Sequence, residues 1–200
     1  MRLHRFYIQE QIGSQTEVVI HSVELANQTR RVFRLKNGDG VILFDGSGSD
    51  YTCSIKEGGD DSMTFTVSSS IPSKFMPARE MILCAAVVKK DTFEWIAEKA
   101  TELGVTKIIP VMAERSEKKN LNMDRLKKIV IEASEQSGRG SIPVVEEITD
   151  LKDVVVWRGG TSPKRIAFHT EGEPYPQGRP AQTEPVTIFI GPEGGWSAAE

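Results

Sequence analysis

The chain is poor in the residues that build metal centres and covalent staples: among 200 residues there are two cysteines, Cys53 and Cys84, and three histidines, His4, His21 and His169. Without a CxxC pair or a His-rich partner segment, neither a disulfide framework nor a zinc site is expected, and both thiols read as buried in a reducing compartment. The histidines have no mutual spacing that suggests a metal or a triad. Long apolar runs are also missing. Nothing approaches the roughly 18 residues of a membrane span, and the opening Met-Arg-Leu-His-Arg-Phe-Tyr-Ile lacks the apolar core of a secretory signal. A cytoplasmic protein with no membrane association is the expectation. Charge of one sign is scarce as well: 25 Lys and Arg against 28 Asp and Glu give a net −3, so any contact with nucleic acid must use a local basic patch. Neither a Gly-Lys-Ser/Thr loop nor a GxGxxG fingerprint is present, which disfavours a nucleotide-phosphate site.

What is present changes character along the chain. Up to about residue 70, short alternating segments (Val18 to Ile20, Gly40 to Phe44, Asp50 to Ile55, Met63 to Ser69) are separated by the turns Asn37-Gly38-Asp39-Gly40, Asp45-Gly46-Ser47-Gly48 and Gly58-Gly59-Asp60-Asp61. That spacing predicts a small all-β barrel or sandwich, with a short helix from Ser22 to Arg34 across one end. Ile71 to Pro77 carries two prolines and is the expected linker, giving a first domain over 1–71, a linker over 72–78 and a second domain over 79–200. In the second domain, Met81 to Val88 is a continuous apolar run, as in a strand buried on both faces. Asp91 can cap a helix striped by Phe93, Ile96, Ala97, Ala100 and Leu103 and ended by Gly104; Asn122 can cap another, striped by Met123, Leu126, Ile129, Val130 and Ala133 and closed by Gly138. Strands at Val105 to Met112, Pro143 to Val145, Arg165 to His169 and Val186 to Ile190, with a weak helical stretch from Asp150, complete an alternation that predicts a parallel α/β sheet.

Chemistry concentrates where Val186 to Ile190 runs directly into Gly191-Pro192-Glu193-Gly194-Gly195. Strand, glycine turn and a helix start capped by Ser197 make a common small-molecule site, and a carboxylate at Glu193 suits a neutral or cationic ligand better than an anion. His169 ends a neighbouring strand on the ligand side of such a sheet. Arg30, Arg31, Arg34 and Lys36 lie within seven residues and are joined by Arg2 and Arg5 near the start. They form the one concentrated basic region, a solvated face or an RNA contact. Gln136 beside Arg139 at a glycine-terminated helix, with Arg115 in Glu114-Arg115-Ser116, can supply donors for a base edge or phosphate; the bland reading is a salt-bridged helix end. Lys99 and Glu102 read as an ordinary surface pair.

Together these segments resemble the RsmE family of 16S ribosomal RNA uridine N3-methyltransferases in the SPOUT superfamily. The resemblance rests on an ordered set: Val32-Phe33-Arg34-Leu35 with Gly38-Asp39, Phe44-Asp45-Gly46, Lys99 to Val105, Pro110, Glu114-Arg115-Ser116, Glu132-Ala133 with Glu135-Gln136 and Arg139, Pro143, and Ile190 to Gly195 with Ser197 and Glu200. It implies an α+β two-domain chain: an N-terminal PUA-like β-barrel that grips RNA, then an α/β SPOUT domain with a trefoil knot that binds S-adenosylmethionine. It also implies a homodimer acting on 16S rRNA of the small ribosomal subunit. The cofactor residues it implies are Phe168, His169, Gly191, Pro192, Glu193, Gly194 and Gly195; the RNA-side candidates, read from the basic cluster and the helix-end donors above, are Arg2, Arg5, Arg30, Arg31, Arg34, Arg115, Gln136 and Arg139. No metal is expected. The catalytic residues are unassigned, with Arg139 and Glu193 as candidates and Glu193 alone conceivable as the base. Family members continue past the helix opened by Ser197 into a segment that walls the cofactor pocket, so the expectation is a chain that lacks that wall. From other classes, a non-catalytic RNA-binding and dimerisation module, or an unrelated nucleotide-binding enzyme, would fit parts of the same pattern.

Overall fold

Alternation with a period of two in the first third of the chain becomes a mixed five-stranded sheet in the computed structural model, which describes residues 3–116, 120–156, 164–169, 171–172 and 183–200. Its strands are β1 (His4–Tyr7), β2 (Glu17–Ile20), β3 (Gly40–Phe44), β4 (Ser49–Gly58) and β5 (Met63–Pro72), in the order β1-β3-β4-β5-β2. β1 lies parallel to β3, and the other pairs are antiparallel. Register shifts at Thr52/Cys53 and Ile55/Glu57 bend the long β4–β5 ribbon, which lets the sheet curl around Phe6, Val41, Leu43 and Phe65, all fully buried. Helix α1 (Val23–Asn27) is capped by the Ser22 hydroxyl, which accepts from Leu25 N at 3.1 Å, and passes directly into a π-helical turn over Gln28–Val32.

The chain divides into two units, Met1–Met76 with Ser134–Ser141, and Pro77–Ala133 with Ile142–Glu200. The second segment of the first unit is fastened through β1. Tyr7 N donates to Glu135 Oε1 at 2.8 Å, and Arg5 Nη2 donates to the Arg139 carbonyl at 3.1 Å. Arg5 also pairs with Asp50, lies 4.6 Å over the Phe44 ring, and shares Asp50 with the Ser73 hydroxyl. Its side chain is 8% exposed and that of Asp50 15%, so each charge depends on the other for its burial.

In the second unit, β6 (Met81–Ala86), β7 (Lys107–Met112), β8 (Val144–Val145), β10 (Lys164–Phe168) and β11 (Val186–Ile190) form a parallel sheet in the order β10-β11-β6-β7-β8, with β9 (Thr149–Asp150) also on β7. The apolar run of β6 is buried on both faces. Leu83 and Ala85 join Phe93 and Ala97 of α2 (Lys90–Glu102) and Leu126, Ile129 and Val130 of α3 (Met123–Ser137); Ile82 and Cys84 join Leu151 and Val154 of α4 (Leu151–Val156) and Phe189. Burial pushes the Cys84 thiol up to about 12 and that of Cys53 up to about 11.

Four expectations are corrected. β1 was not foreseen, because His-Arg-Phe-Tyr carries little apolar signal and its parallel partner lies far along the chain. Ile71 and Pro72, expected in a linker, end β5, while the units divide after Met76, inside the linker expected over 72–78. The α2 N-cap is Lys89 rather than Asp91, which stands in the first turn where its charge still opposes the helix dipole. Leu103 is 79% exposed, because Gly104 at φ +92° turns the chain there; Thr101 takes the buried flank instead and its hydroxyl donates to Ala97 O at 2.7 Å. Asn122 does cap α3, accepting from Arg125 N at 3.0 Å, and Gly138 ends it at φ +79°.

Asp45 shows how Phe44-Asp45-Gly46 serves the first unit. Burial alone would raise its carboxyl pKa, but hydrogen bonds from the Ser47 side chain and from the amides of Ile12 and Ser47, the last two at 3.0 Å, hold it below the ordinary 3.8. A depressed folded-state pKa contributes stability above the unfolded value that is lost as pH falls through the folded one. Asp45→Asn is therefore expected to cost about 1–3 kcal/mol in urea unfolding at pH 7, and the gap to the parent should narrow on acidification. Arg5→Ala strands the Asp50 carboxylate and is expected to cost about 3–5 kcal/mol, with faster amide exchange over 138–141.

Candidate functional site

In-register parallel pairing brings two strand ends to one level: Phe168 of β10 lies opposite Ile190 of β11, and Ile190 opposite Ala85 of β6. From β6 the chain continues to β7 and β8 on one side, while β10 and β11 lie on the other side of β6. Open parallel sheets bind ligands outside the carboxyl ends of their strands. A cavity of about 350 Å³ opens there, lined by Phe168, His169 and residues 190–196.

The glycine turn is shaped by close contacts. Gly195 N donates to Pro192 O at 2.9 Å, and Gly195 sits at φ +70°, a region that glycine enters without a Cβ penalty. Trp196 folds back over the turn and its indole N–H donates to Phe168 O at 3.0 Å, tying the end of β10 to the loop after β11. A Cβ on Gly191 would stand 3.0 Å from Trp196 Cε2, so only glycine lets the indole lie there without displacement. The loop after β7 supports the turn from outside: Arg115 Nη1 donates to Gly194 O at 2.8 Å. The Glu200 carboxylate accepts from Glu114 N at 2.7 Å and from Ser197 N at 2.9 Å.

All seven residues expected to hold a cofactor, Phe168, His169, Gly191, Pro192, Glu193, Gly194 and Gly195, line this single cavity. Phe168 is 61% and Ile190 40% exposed, an apolar lip that the sequence pattern did not single out for Ile190. His169 Nδ1 accepts from Glu171 N at 3.0 Å, so in the neutral ring the proton is on Nε2. Trp196 was missed; its signal was its place directly after Gly194-Gly195. After Ser197, 198–199 form a turn, closed by Glu200 N to Ser197 O at 3.2 Å, and the Ser197 hydroxyl is buried with no hydrogen-bond partner among the described residues.

The expected RNA-side cations separate into distinct environments. Arg31 and Arg34 are exposed on the first unit and form no ion pair among the described residues, whereas Arg30 donates to Gly59 O at 2.8 Å and lies 3.5 Å from Asp60. Gln136 is exposed on the last turn of α3. Arg2 lies outside the described residues. Three others make contacts within the protein. Arg5 is sequestered with Asp50, and Arg139 is 4% exposed, donates to Ser141 Oγ at 3.4 Å and has its pKa pushed down to about 10 by burial. Arg115 serves the glycine turn. Neither composition nor spacing separates a buried arginine from an exposed one.

The family description "RNA methyltransferase domain" matches residues 76–200, and "RNA methyltransferase PUA domain" matches residues 30–68. The chain is 28% identical to the ribosomal RNA small subunit methyltransferase E of Rickettsia conorii, over 100% of this chain and 82% of that protein. It is also 28% identical to the enzyme of the same name from Bacillus subtilis, over 84% and 71% respectively. In structure it is similar to a methyltransferase of Legionella pneumophila in complex with bound SAM, with a TM-score of 0.89 and 26% identity, over 100% of this chain and 84% of that one.

The Gly191 contact is directly testable. Gly191→Ala is expected to displace the Trp196 ring and cost about 1–3 kcal/mol in denaturant unfolding, as overpacking does. A crystal structure of the variant would show the Trp196 Nε1 to Phe168 O bond lengthened or broken.

Proposed function

This chain belongs to the RNA methyltransferase family, of the RsmE type, and from that premise we propose that it methylates N3 of a uridine in 16S ribosomal RNA with S-adenosylmethionine as donor. Methylation of ribosomal RNA with this donor is the activity of the family; the uridine and its N3 are the finer step. The observation that carries the reading is the cavity at the carboxyl ends of β10 and β11.

Its lining fits the donor. Among the described residues it offers one carboxylate, Glu193, one imidazole, His169, and no lysine or arginine, which suits a cationic sulfonium and not a phosphate. Exposed Phe168 and Ile190 present apolar surface to a heteroaromatic ring, and the backbone of the turn presents polar groups without side chains in the way. When bound, the donor supplies an activated methyl group. The task of the protein is to align the acceptor nitrogen with the methyl carbon and exclude water, and the ties from Trp196 to Phe168 and from Arg115 to Gly194 hold the loop for that purpose. Uracil N3–H is a weakly acidic imide, so its proton must be taken or charge on the flanking carbonyls stabilised. Glu193, exposed in the turn, is the candidate base. On the first unit, Arg31 and Arg34 are the candidate phosphate contacts, with Gln136 as a further polar one. The same reading places the protein in the cytoplasm, acting on the small ribosomal subunit as a homodimer; no helix among the described residues is long and apolar enough to cross a membrane.

Calorimetric titration with S-adenosylmethionine, with ATP as control, is expected to show selective binding of the former. Incubation with labelled donor and 16S rRNA, followed by nucleoside analysis, is expected to yield N3-methyluridine; a methyl group on another atom would overturn the assigned position. Glu193→Ala should lower turnover by about 10²–10⁴-fold with donor affinity preserved if it takes the proton. Full turnover in that variant would remove it as the base.

A further inference from the structure

The first unit contains a surface feature that the methyl-transfer site does not use. The π-helical turn Gln28–Val32 ends with Phe33 N donating to Gln28 O at 3.0 Å, and Leu35 N then donates to Thr29 O at 2.9 Å. Between them stands Arg34 at φ +55°, the single non-glycine residue with positive φ among the described residues. Rare backbone states persist where the surroundings over-determine them, and π-turns and such outliers cluster at functional sites. The surroundings here are specific. Thr29 is fully buried and its hydroxyl donates to Leu25 O at 2.8 Å, and Leu35 packs on the core of the sheet.

The reversal at Arg34 delivers the Phe33 ring onto the rim of the sheet. Its centroid lies 4.1 Å from that of His4 and 5.7 Å from that of Phe6, edge-on to the latter. Phe6 is fully buried, whereas Phe33 remains 37% exposed and its neighbour Val32 68%. Arg31 and Arg34, two residues before and one after the ring, are exposed and form no ion pair among the described residues. An aromatic face that is supported from behind, open in front and flanked by uncommitted guanidinium groups is the arrangement that stacks an unpaired base while the cations contact the phosphates on either side.

We propose that Phe33, backed by His4, is a stacking platform for one unpaired base of single-stranded RNA, with Arg31 and Arg34 on the adjoining phosphates. This deepens the reading of the chain as a ribosomal RNA methyltransferase and rests on it. The base would be held outside the methyl-transfer cavity, so the platform selects an unpaired stretch of substrate and not the atom that is methylated. Duplex RNA, whose bases are stacked on one another, is not a ligand for it.

The full chain is tested by fluorescence anisotropy with a short labelled single-stranded RNA and a duplex of the same sequence. Phe33→Leu keeps an apolar side chain on His4 and Phe6 but removes the aromatic face; Phe33→Trp keeps the face. The leucine variant is expected to unfold at close to the parent temperature yet bind the single strand about tenfold more weakly, while the tryptophan variant binds like the parent. Arg31→Ala and Arg34→Ala should each lower the salt dependence by about 0.7 in log–log slope. A 2-aminopurine in the strand should be quenched on binding to the parent and less so with Phe33→Leu. Parent-like affinity and quenching in Phe33→Leu, or no binding of the single strand by the parent, would overturn the platform. Methyl transfer to 16S rRNA by the parent is scored separately, so a failed platform with intact transfer leaves the enzymatic reading standing, and absent transfer indicts that reading itself.

Discussion

The register of β11 between β10 and β6 is the constraint on which the candidate site of this molecule depends. Parallel pairing without offset brings Phe168, Ile190 and Ala85 to one level, so the loops that follow β10 and β11 emerge side by side. A slip of one residue would turn Phe189 out of the core and Ile190 into it, and would carry Gly191 away from Trp196. Buried Ile82, Cys84 and Phe189 on one face of the sheet and Leu83 and Ala85 on the other therefore hold the register and, through it, the cavity.

Around the cavity, side chains from distant segments hold backbone atoms. Trp196 holds a β10 carbonyl, Arg115 a carbonyl of the glycine turn, and Glu200 two amides, one of them in the loop after β7. Each of these residues bears chemistry that could have served a ligand directly, an indole, a guanidinium and a carboxylate, and each is engaged in shaping the loop instead. What remains open to a ligand is an apolar lip, backbone groups, His169 and Glu193, a set matched to a neutral or cationic molecule.

The first unit divides its arginines in a comparable way. Arg5 and Arg139 are withdrawn from solvent and tie residues 134–141 to the sheet, where loss of one partner would leave a buried charge uncompensated. Arg31 and Arg34 stay outside. The αL conformation of Arg34, which costs roughly 1–2 kcal/mol in an L-residue, is offset by Leu35 packing on the core and by the Phe33 contact with His4.

Local features were legible directly. β11 and β3 lie where alternation and apolar runs put them, Asn122 and Gly138 bound α3, and Gly191 to Gly195 form a turn that lines a cavity, because strand burial, helix capping and glycine turns are encoded within a few residues of themselves. The ordered segments across the whole chain were likewise enough to place it in its family. The partners of side chains across the chain were not legible: the pairing of β1 with β3, the grouping of residues 134–141 with the sheet, the indole over Gly191, and which arginines are buried. The sequence by itself determined most of the elements, their two periodicities and the glycine turn after β11. The tertiary structure alone decided which charged and aromatic groups stay free for a ligand, because burial and hydrogen-bond partnership depend on residues far apart in the chain, and no local pattern records who those neighbours are.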